Sequence, residues 1–434
     1  MTLFRSRLPL ALAFCALLIA AAYASCRGEP DYLRKSGLHD RTRVPDRVIL
    51  TVTADPAHSQ AVTWRTNGEV ELAVAEIAPA DHGPDFIDAA QRVEAVTGKL
   101  ESDVGGALYH SVVFRGLAPA TRYCYRVGDG EAWSEWNQFT TAAEGPQPLT
   151  FLYVGDAQND IYSLWSRVIR EGYSQAPTAA FIIHAGDLIN RANEDSHWGE
   201  WHLAAGWINR TTPSLPVVGN HEYNWRLDGS GTLSRHWRPQ FALPENGPTG
   251  LEETCYFVDV QGVRIVALNS NERQAEQAAW LDRMLASNPN RWTIVAHHHP
   301  LFSAARSRDN TELRALWQPI YDRRGVDLVL QGHDHTYARS NLTSGLNTRQ
   351  GSNGVVYAVS VSGPKVYEVD REDWMERAGE RLQLFQIVRV EGDRLVYESR
   401  TARGDLYDSF ELRKRRSAPN ELVNRLPDFP ERLD

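Results

Sequence analysis

Cysteine is scarce in this chain: there are four in 434 residues, Cys15, Cys26, Cys124 and Cys255, and no two stand at CxxC spacing. That excludes a zinc ribbon, a thioredoxin-like redox site and a small scaffold stapled by disulfides. Positive charge is also short, with 46 Lys and Arg against 55 Asp and Glu, a formal net charge of -9. No global field gathers nucleic acid, so no nucleic-acid partner is expected, and an anionic substrate needs locally placed cations. Internal repeats and low-complexity tracts are absent. What remains is ordinary globular composition, 42% hydrophobic and 23% charged, over a length that suits two folded units.

Only one long apolar run exists, Leu8 to Ala24, preceded by Arg5 and Arg7 and closed by Ala22-Tyr23-Ala24. It is shorter than the roughly 20 residues that span a bilayer and carries small residues where a signal peptidase reads. Residues 1–25 are therefore expected to be a signal peptide, sending the protein to the periplasm or outside the cell. Ala24-Ser25-Cys26 resembles a lipobox, with Tyr23 where a leucine-like residue is usual, and leaves open a lipid anchor at Cys26. Cys124 and Cys255, one in each expected domain, are expected to be buried and free.

From 44 to 142 short alternating strands follow one another: Val48 to Thr53, Ala61 to Arg65, Leu72 to Ile77, Tyr109 to Leu117, Arg122 to Val127 and Asn137 to Thr140. This pattern predicts an antiparallel β-sandwich. A linker rich in Gly and Pro runs to Pro148. Between 149 and 412 apolar strands alternate with helical segments such as Gln274 to Leu285, predicting an α/β domain whose ligands lie at the carboxyl ends of its strands. Residues 413–434, with basic Arg413 to Arg416, are expected to form a solvated polar tail. Asn209-Arg210-Thr211 and Asn341-Leu342-Thr343 are glycosylation sequons that matter only in a glycosylating host.

Five strand ends finish in metal-ligand chemistry: Gly155-Asp156-Ala157-Gln158, Gly186-Asp187, Gly219-Asn220-His221-Glu222, His297-His298-His299-Pro300 and Gly332-His333-Asp334-His335. Gly-Asp alone occurs five times in the chain and identifies nothing. In order and together, these clusters collect carboxylate, amide and imidazole donors suited to divalent or trivalent cations. Two adjacent cations clamp a phosphate and stabilise both the attacking and leaving oxygens.

The motif order GDx, GDxxY, GNH(D/E), VxxH and GHxH resembles that of the calcineurin-like metallophosphoesterases. Val62-Thr63-Trp64, Gly116 to Tyr123 and Phe139-Thr140-Thr141 resemble the fibronectin-III-like domain preceding the catalytic domain of purple acid phosphatases. The resemblance spans about 44 to 412. It implies an α/β metallophosphoesterase sandwich of mixed sheets flanked by helices, preceded by an all-β fibronectin-III-like sandwich. It also implies hydrolysis of phosphomonoesters by a metal-bound hydroxide at two metal ions drawn from Fe, Zn and Mn. Asp187 would bridge the metals, Asp156 and His335 would hold the first, and Asn220, His298 and His333 the second. His221 would act as acid towards the leaving group and His299 would touch substrate, with His297 structural.

Two positions depart from the pattern. Asn190 stands where the family has the tyrosine that colours its ferric site, and Gln158 stands where many metallophosphoesterases have histidine. The amide oxygen of Gln158 could complete the first site. Arg306 and Arg308 replace the substrate-facing histidines of plant members, either as phosphate ligands or as solvated loop residues. The same site suits phosphodiesters, and a degenerate enzyme serving as a surface binding module is the alternative from another class.

Overall fold

The computed structural model describes residues 37, 39–344, 354–415 and 418–433; the expected signal peptide and Cys26 lie outside them. Chain contacts divide the protein into Met1–Asp40 and Arg41–Asp434, and all that follows concerns the second unit.

The amino-terminal sandwich packs Asp46–Thr51, Ser59–Thr66, Gly105–Arg115 and Val96–Ser102 against a four-stranded sheet of Gln91–Glu94, Val74–Pro79, Arg122–Gly128 and Asn137–Thr140. Alternate side chains meet between the layers: Val62 and Trp64, Phe114, Tyr125 and Phe139 are buried together. Gln91–Glu94 and Val96–Ser102 were not expected from the sequence. They lie at sheet edges, are mostly exposed and carry charges such as Glu94, Lys99 and Glu101, so no apolar alternation marks them.

The α/β region contains two facing sheets. In the first, Leu149–Val154, Ile182–His184 and Ser214–Pro216 run parallel, and Leu384–Glu391 joins antiparallel on the outer side of Leu149–Val154. The second is built on Val263–Leu268, Trp292–His297, Leu328–Gln331 and Val356–Val359, all parallel. Successive residues serve opposite faces: Ile294 and Ala296 enter the core shared with the first sheet, whereas Val295 meets Leu281 and Trp317 of the helices Gln274–Ala286 and Thr311–Arg324. Among the described residues no helix is long and apolar enough to cross a membrane. Cys124 and Cys255 are buried and free. Asn209 of the first sequon is buried, and Asn341 of the second is exposed.

Two expectations change. The sandwich and the α/β region are not separate sheets: Asp46–Thr51 pairs in parallel with Ser214–Pro216, fusing both into one eleven-stranded sheet. The residues from 413 onward are not a solvated tail. Glu421–Asn424 adds a strand beside Leu406–Arg413, and Lys414 and Asn420 reach the buried carboxylate of Asp327. Arg413 pairs with Glu411 at 2.6 Å and Arg415 with Glu421 at 2.9 Å, so these two charges are each met by a carboxylate. Both features depend on partners distant in sequence and on strands too short to show a period.

Candidate metal centre

The motif residues leave the carboxyl ends of parallel strands and converge at one edge of the two sheets. Asp156 follows Leu149–Val154, Asp187 follows Ile182–His184, His298 follows Trp292–His297 and His333 follows Leu328–Gln331. Asp156, Asp187, His333 and His335 all have positive φ, between 50° and 74°. Such backbone is costly outside glycine and persists where the surroundings over-determine it, as at functional sites. Close approach explains two motif glycines: a Cβ on Gly219 would sit 2.2 Å from Asp187 Oδ1, and one on Gly332 would sit 2.5 Å from Asp156 Oδ2.

Two donor groups result. Asp156, Asp187 and His335 offer ligand atoms within 4.8 Å of one another, and so do Asp187, His298 and His333, with Asp187 common to both. His298 Nε2 lies 3.2 Å from Asp187 Oδ2, 3.1 Å from Asn220 Oδ1 and 3.2 Å from His333 Nδ1. His298 donates through Nδ1 to the Ala185 carbonyl at 2.8 Å, and His335 through Nδ1 to the Lys365 carbonyl at 3.1 Å. A carbonyl only accepts, so each Nε2 keeps its lone pair towards the cluster, the arrangement that presents imidazole to a metal.

The charges fit a cation. Burial pushes the Asp156 carboxyl well up, and the charge of Asp187 adds to it; Asp187, against its own burial, is held well down by His298 and His221. Burial lowers His333 and His335, the latter to about 3, which keeps both rings neutral as ligands. Burial would lower His298 as well, but the charge of Asp187 outweighs it and pushes this ring up to about 9, so its proton sits where a divalent ion would supply the charge that the two buried carboxylates call for.

Gln158 lies against the first group. It is fully buried, its Nε2 lies 2.8 Å from Asp187 Oδ2 and 3.1 Å from His335 Nε2, and its Oε1 has no partner. Turning the amide about its last bond exchanges the two atoms and presents the carbonyl oxygen where Asp187 and His335 converge.

His221 donates its backbone N–H to Asp187 Oδ1 at 2.8 Å and its ring Nδ1–H to the Asn190 carbonyl at 2.6 Å. Its Nε2 is then 3.9 Å from Asp187 Oδ2 on a side chain 24% exposed, at the mouth of the cluster. The His299 ring centre lies 4.3 Å from that of His333, and its Nδ1 is 2.8 Å from Ser270 Oγ. His297 turns away, bonds the His299 carbonyl at 2.8 Å and packs on Trp317. Of the two arginines, Arg306 pairs with exposed Glu368, whereas Arg308 donates to the His333 carbonyl at 3.1 Å.

Residue types alone did not reveal two supports. Glu222 Oε2 accepts the N–H groups of Gly219 at 2.7 Å and Asp187 at 2.9 Å, while Oε1 accepts that of Leu188 at 2.8 Å. Asp334 Oδ2 accepts Ser303 Oγ–H and the Ala304 N–H, both at 2.7 Å, beneath the loop after Pro300. Each lies inside a motif, which was the available signal, but its direction is a property of the fold.

Residues 45–141 match the purple acid phosphatase N-terminal domain family, and residues 149–337 match the calcineurin-like phosphoesterase family. An uncharacterized protein of Mycobacterium tuberculosis is 27% identical over 265 residues, 52% of this chain and 49% of that protein. Purple acid phosphatase 18 of Arabidopsis thaliana is 24% identical over 308 residues, 68% of this chain and 66% of the relative. The matches thus span half to two thirds of these relatives. A purple acid phosphatase from yellow lupin (Lupinus luteus) seeds shares the fold with a TM-score of 0.72 at 18% identity, covering 85% of this chain and 74% of that one. Residues 149–337 thus form a calcineurin-like phosphoesterase domain, preceded at 45–141 by a domain of the purple acid phosphatase N-terminal family, and the chain is purple acid phosphatase-like in this two-domain order.

Proposed function

We propose that the protein is an exported, binuclear metal-dependent phosphatase that hydrolyses phosphomonoesters. The observation that carries this reading is the position of Asp187 in both donor groups at once, since a carboxylate shared between two sites is what a pair of cations needs. Asp156, His335 and Gln158 would hold one ion with Asp187, and Asn220, His298 and His333 the other; the donor set suits Fe, Zn or Mn. When bound, the pair supplies Lewis-acid polarisation of the phosphate and neutralises charge that builds during in-line displacement.

The chain's own groups do the rest. Because His221 Nδ1–H is committed to the Asn190 carbonyl, Nε2 is the ring nitrogen left to face the mouth. There it can give a proton to the departing ester oxygen, as general acids do. The backbone N–H of His221 keeps Asp187 oriented. His299, fixed by Ser270 and beside His333, is placed to touch substrate from the opposite side. Export rests on the signal-peptide pattern of residues 1–25, with a lipid anchor at Cys26 as its variant.

Phosphodiester hydrolysis is the second reading. It is favoured by the two clefts that meet at Trp225, one bordered by His221 and the other by His299, which leave room for an ester group on each side. Elemental analysis, with turnover of p-nitrophenyl phosphate and its bis-ester before and after chelation and metal add-back, tests both. Two metals per chain and chelator-sensitive turnover are expected, faster on the monoester; a preference for the bis-ester selects the second reading. No metal and no turnover after add-back would overturn both and favour a binding module.

A further inference from the structure

A large aromatic side chain stands uncovered beside the metal centre. Trp225 is 45% exposed, although it lies only four residues after His221. It ends Tyr223–Trp225, which pairs with Gly231–Leu233 in a two-stranded hairpin.

Its position is fixed. The indole N–H donates to the Asn220 carbonyl at 2.8 Å, and the ring stacks on Tyr223 with centres 5.4 Å apart and planes at 27°. The Tyr223 hydroxyl is in turn held by Glu272 and by Asn269 Nδ2. Across the hairpin a Cβ on Gly231 would fall 2.8 Å from the indole, so only glycine lets the ring lie there.

The cleft beside the ring has a polar far wall. It encloses about 470 Å3 and is lined by Asn190, His221, Asn224, Arg235 and Asp103, a size that suits a small organic group. Asp103 comes from the turn between Val96–Ser102 and Gly105–Arg115, so the amino-terminal sandwich supplies part of the wall. That turn is anchored: Asp103 Oδ1 accepts the Asp195 N–H at 2.9 Å, and Arg235 donates to the Glu101 carbonyl at 2.9 Å.

We propose that this cleft is the leaving-group subsite, and that Trp225 selects phosphoesters whose leaving group carries a flat ring, aryl or nucleoside, by stacking on it. The inference rests on the hydrolase reading above. His221 borders the same cleft, so a group departing towards its Nε2 passes along the indole. A pre-fixed aromatic face costs little ordering on binding, and the polar rim answers the hydroxyls or exocyclic groups of a nucleoside.

The test compares metal-loaded full-length wild type with Trp225→Ala and Trp225→Phe on phenyl phosphate, 5′-AMP and glycerol 3-phosphate. Stacking on an aromatic is worth about 1–3 kcal/mol per ring, or roughly 5- to 150-fold. The expected result is a fall of about tenfold or more in the kcat/KM ratio of 5′-AMP to glycerol 3-phosphate in Trp225→Ala. That fall is carried by KM and largely restored in Trp225→Phe. An unchanged ratio, with all substrates losing equally or none losing, overturns the proposal, because a merely structural indole would not discriminate. If wild type turns over no ester, the hydrolase reading fails instead. Calorimetric titration with 5′-AMP then decides the subsite: weaker binding to Trp225→Ala supports it and equal affinity overturns it.

Discussion

Glu222 accepts the backbone N–H of Asp187 at 2.9 Å while its other oxygen accepts that of Leu188 at 2.8 Å. One buried carboxylate therefore holds the turn that aims the shared metal-ligand candidate, and through Gly219 at 2.7 Å it also holds the start of the Asn220-His221 turn. Burial, with the charge of Asp187, pushes this carboxyl up to about 8 against the pull of those amides.

Glu222→Ala frees three amides at once and is expected to lower metal retention and turnover about 10- to 100-fold, the usual effect of losing a support behind the ligands. Glu222→Gln keeps an acceptor and should lose less. Metal content and kcat/KM measured together check this; an alanine variant with full metal and full turnover would contradict the positioning role.

Asp187 and His333 should differ in stoichiometry. Asp187→Asn removes a donor common to both groups, and His333→Ala removes one from a single group. Turnover is expected to fall at least about 100-fold in both. Elemental analysis should find metal content near zero in the first and near one ion per chain in the second.

Asn190 predicts the spectrum. Its backbone carbonyl serves His221, and no phenolate comes from this position. Iron-loaded protein should therefore lack the visible tyrosinate charge-transfer band, which an absorption spectrum decides.

Asp195 ties the sandwich to the α/β region. It pairs with Arg47 at 2.7 Å and Arg65 at 3.1 Å, with His236 Nε2 at 3.4 Å. Burial alone would raise its carboxyl, but His236, Arg47 and Arg65 outweigh this and hold it far below the usual range. A depressed folded-state pKa means stability that is complete above the unfolded value near 4 and is lost as pH falls below it. Asp195→Asn takes the carboxylate charge from buried Arg47, which keeps the Tyr109 hydroxyl, while Arg65 retains Asp46, and should cost about 3–5 kcal/mol. Thermal unfolding from pH 7 to pH 3 should show the variant less stable at neutral pH and less sensitive to acid.

What the sequence determined by itself is the chemistry and its order. Carboxylate, amide and imidazole residues follow apolar strand runs, and the GDx to GHxH succession with the preceding alternating strands pointed to the right architecture. Local signals suffice there, because strand period and the glycine before a ligand are properties of adjacent residues. Tertiary structure decided whatever depends on remote partners. It fused the sandwich sheet to the catalytic sheet through Thr51 and Ser214, and it drew the residues after 413 into that sheet. It turned Glu222 back onto Asp187, separated Arg308 from Arg306, and set the sandwich turn at Asp103 across the cleft from Trp225. Each of these is a contact between residues distant in the chain, and a side chain's direction there is set by packing that no local pattern encodes.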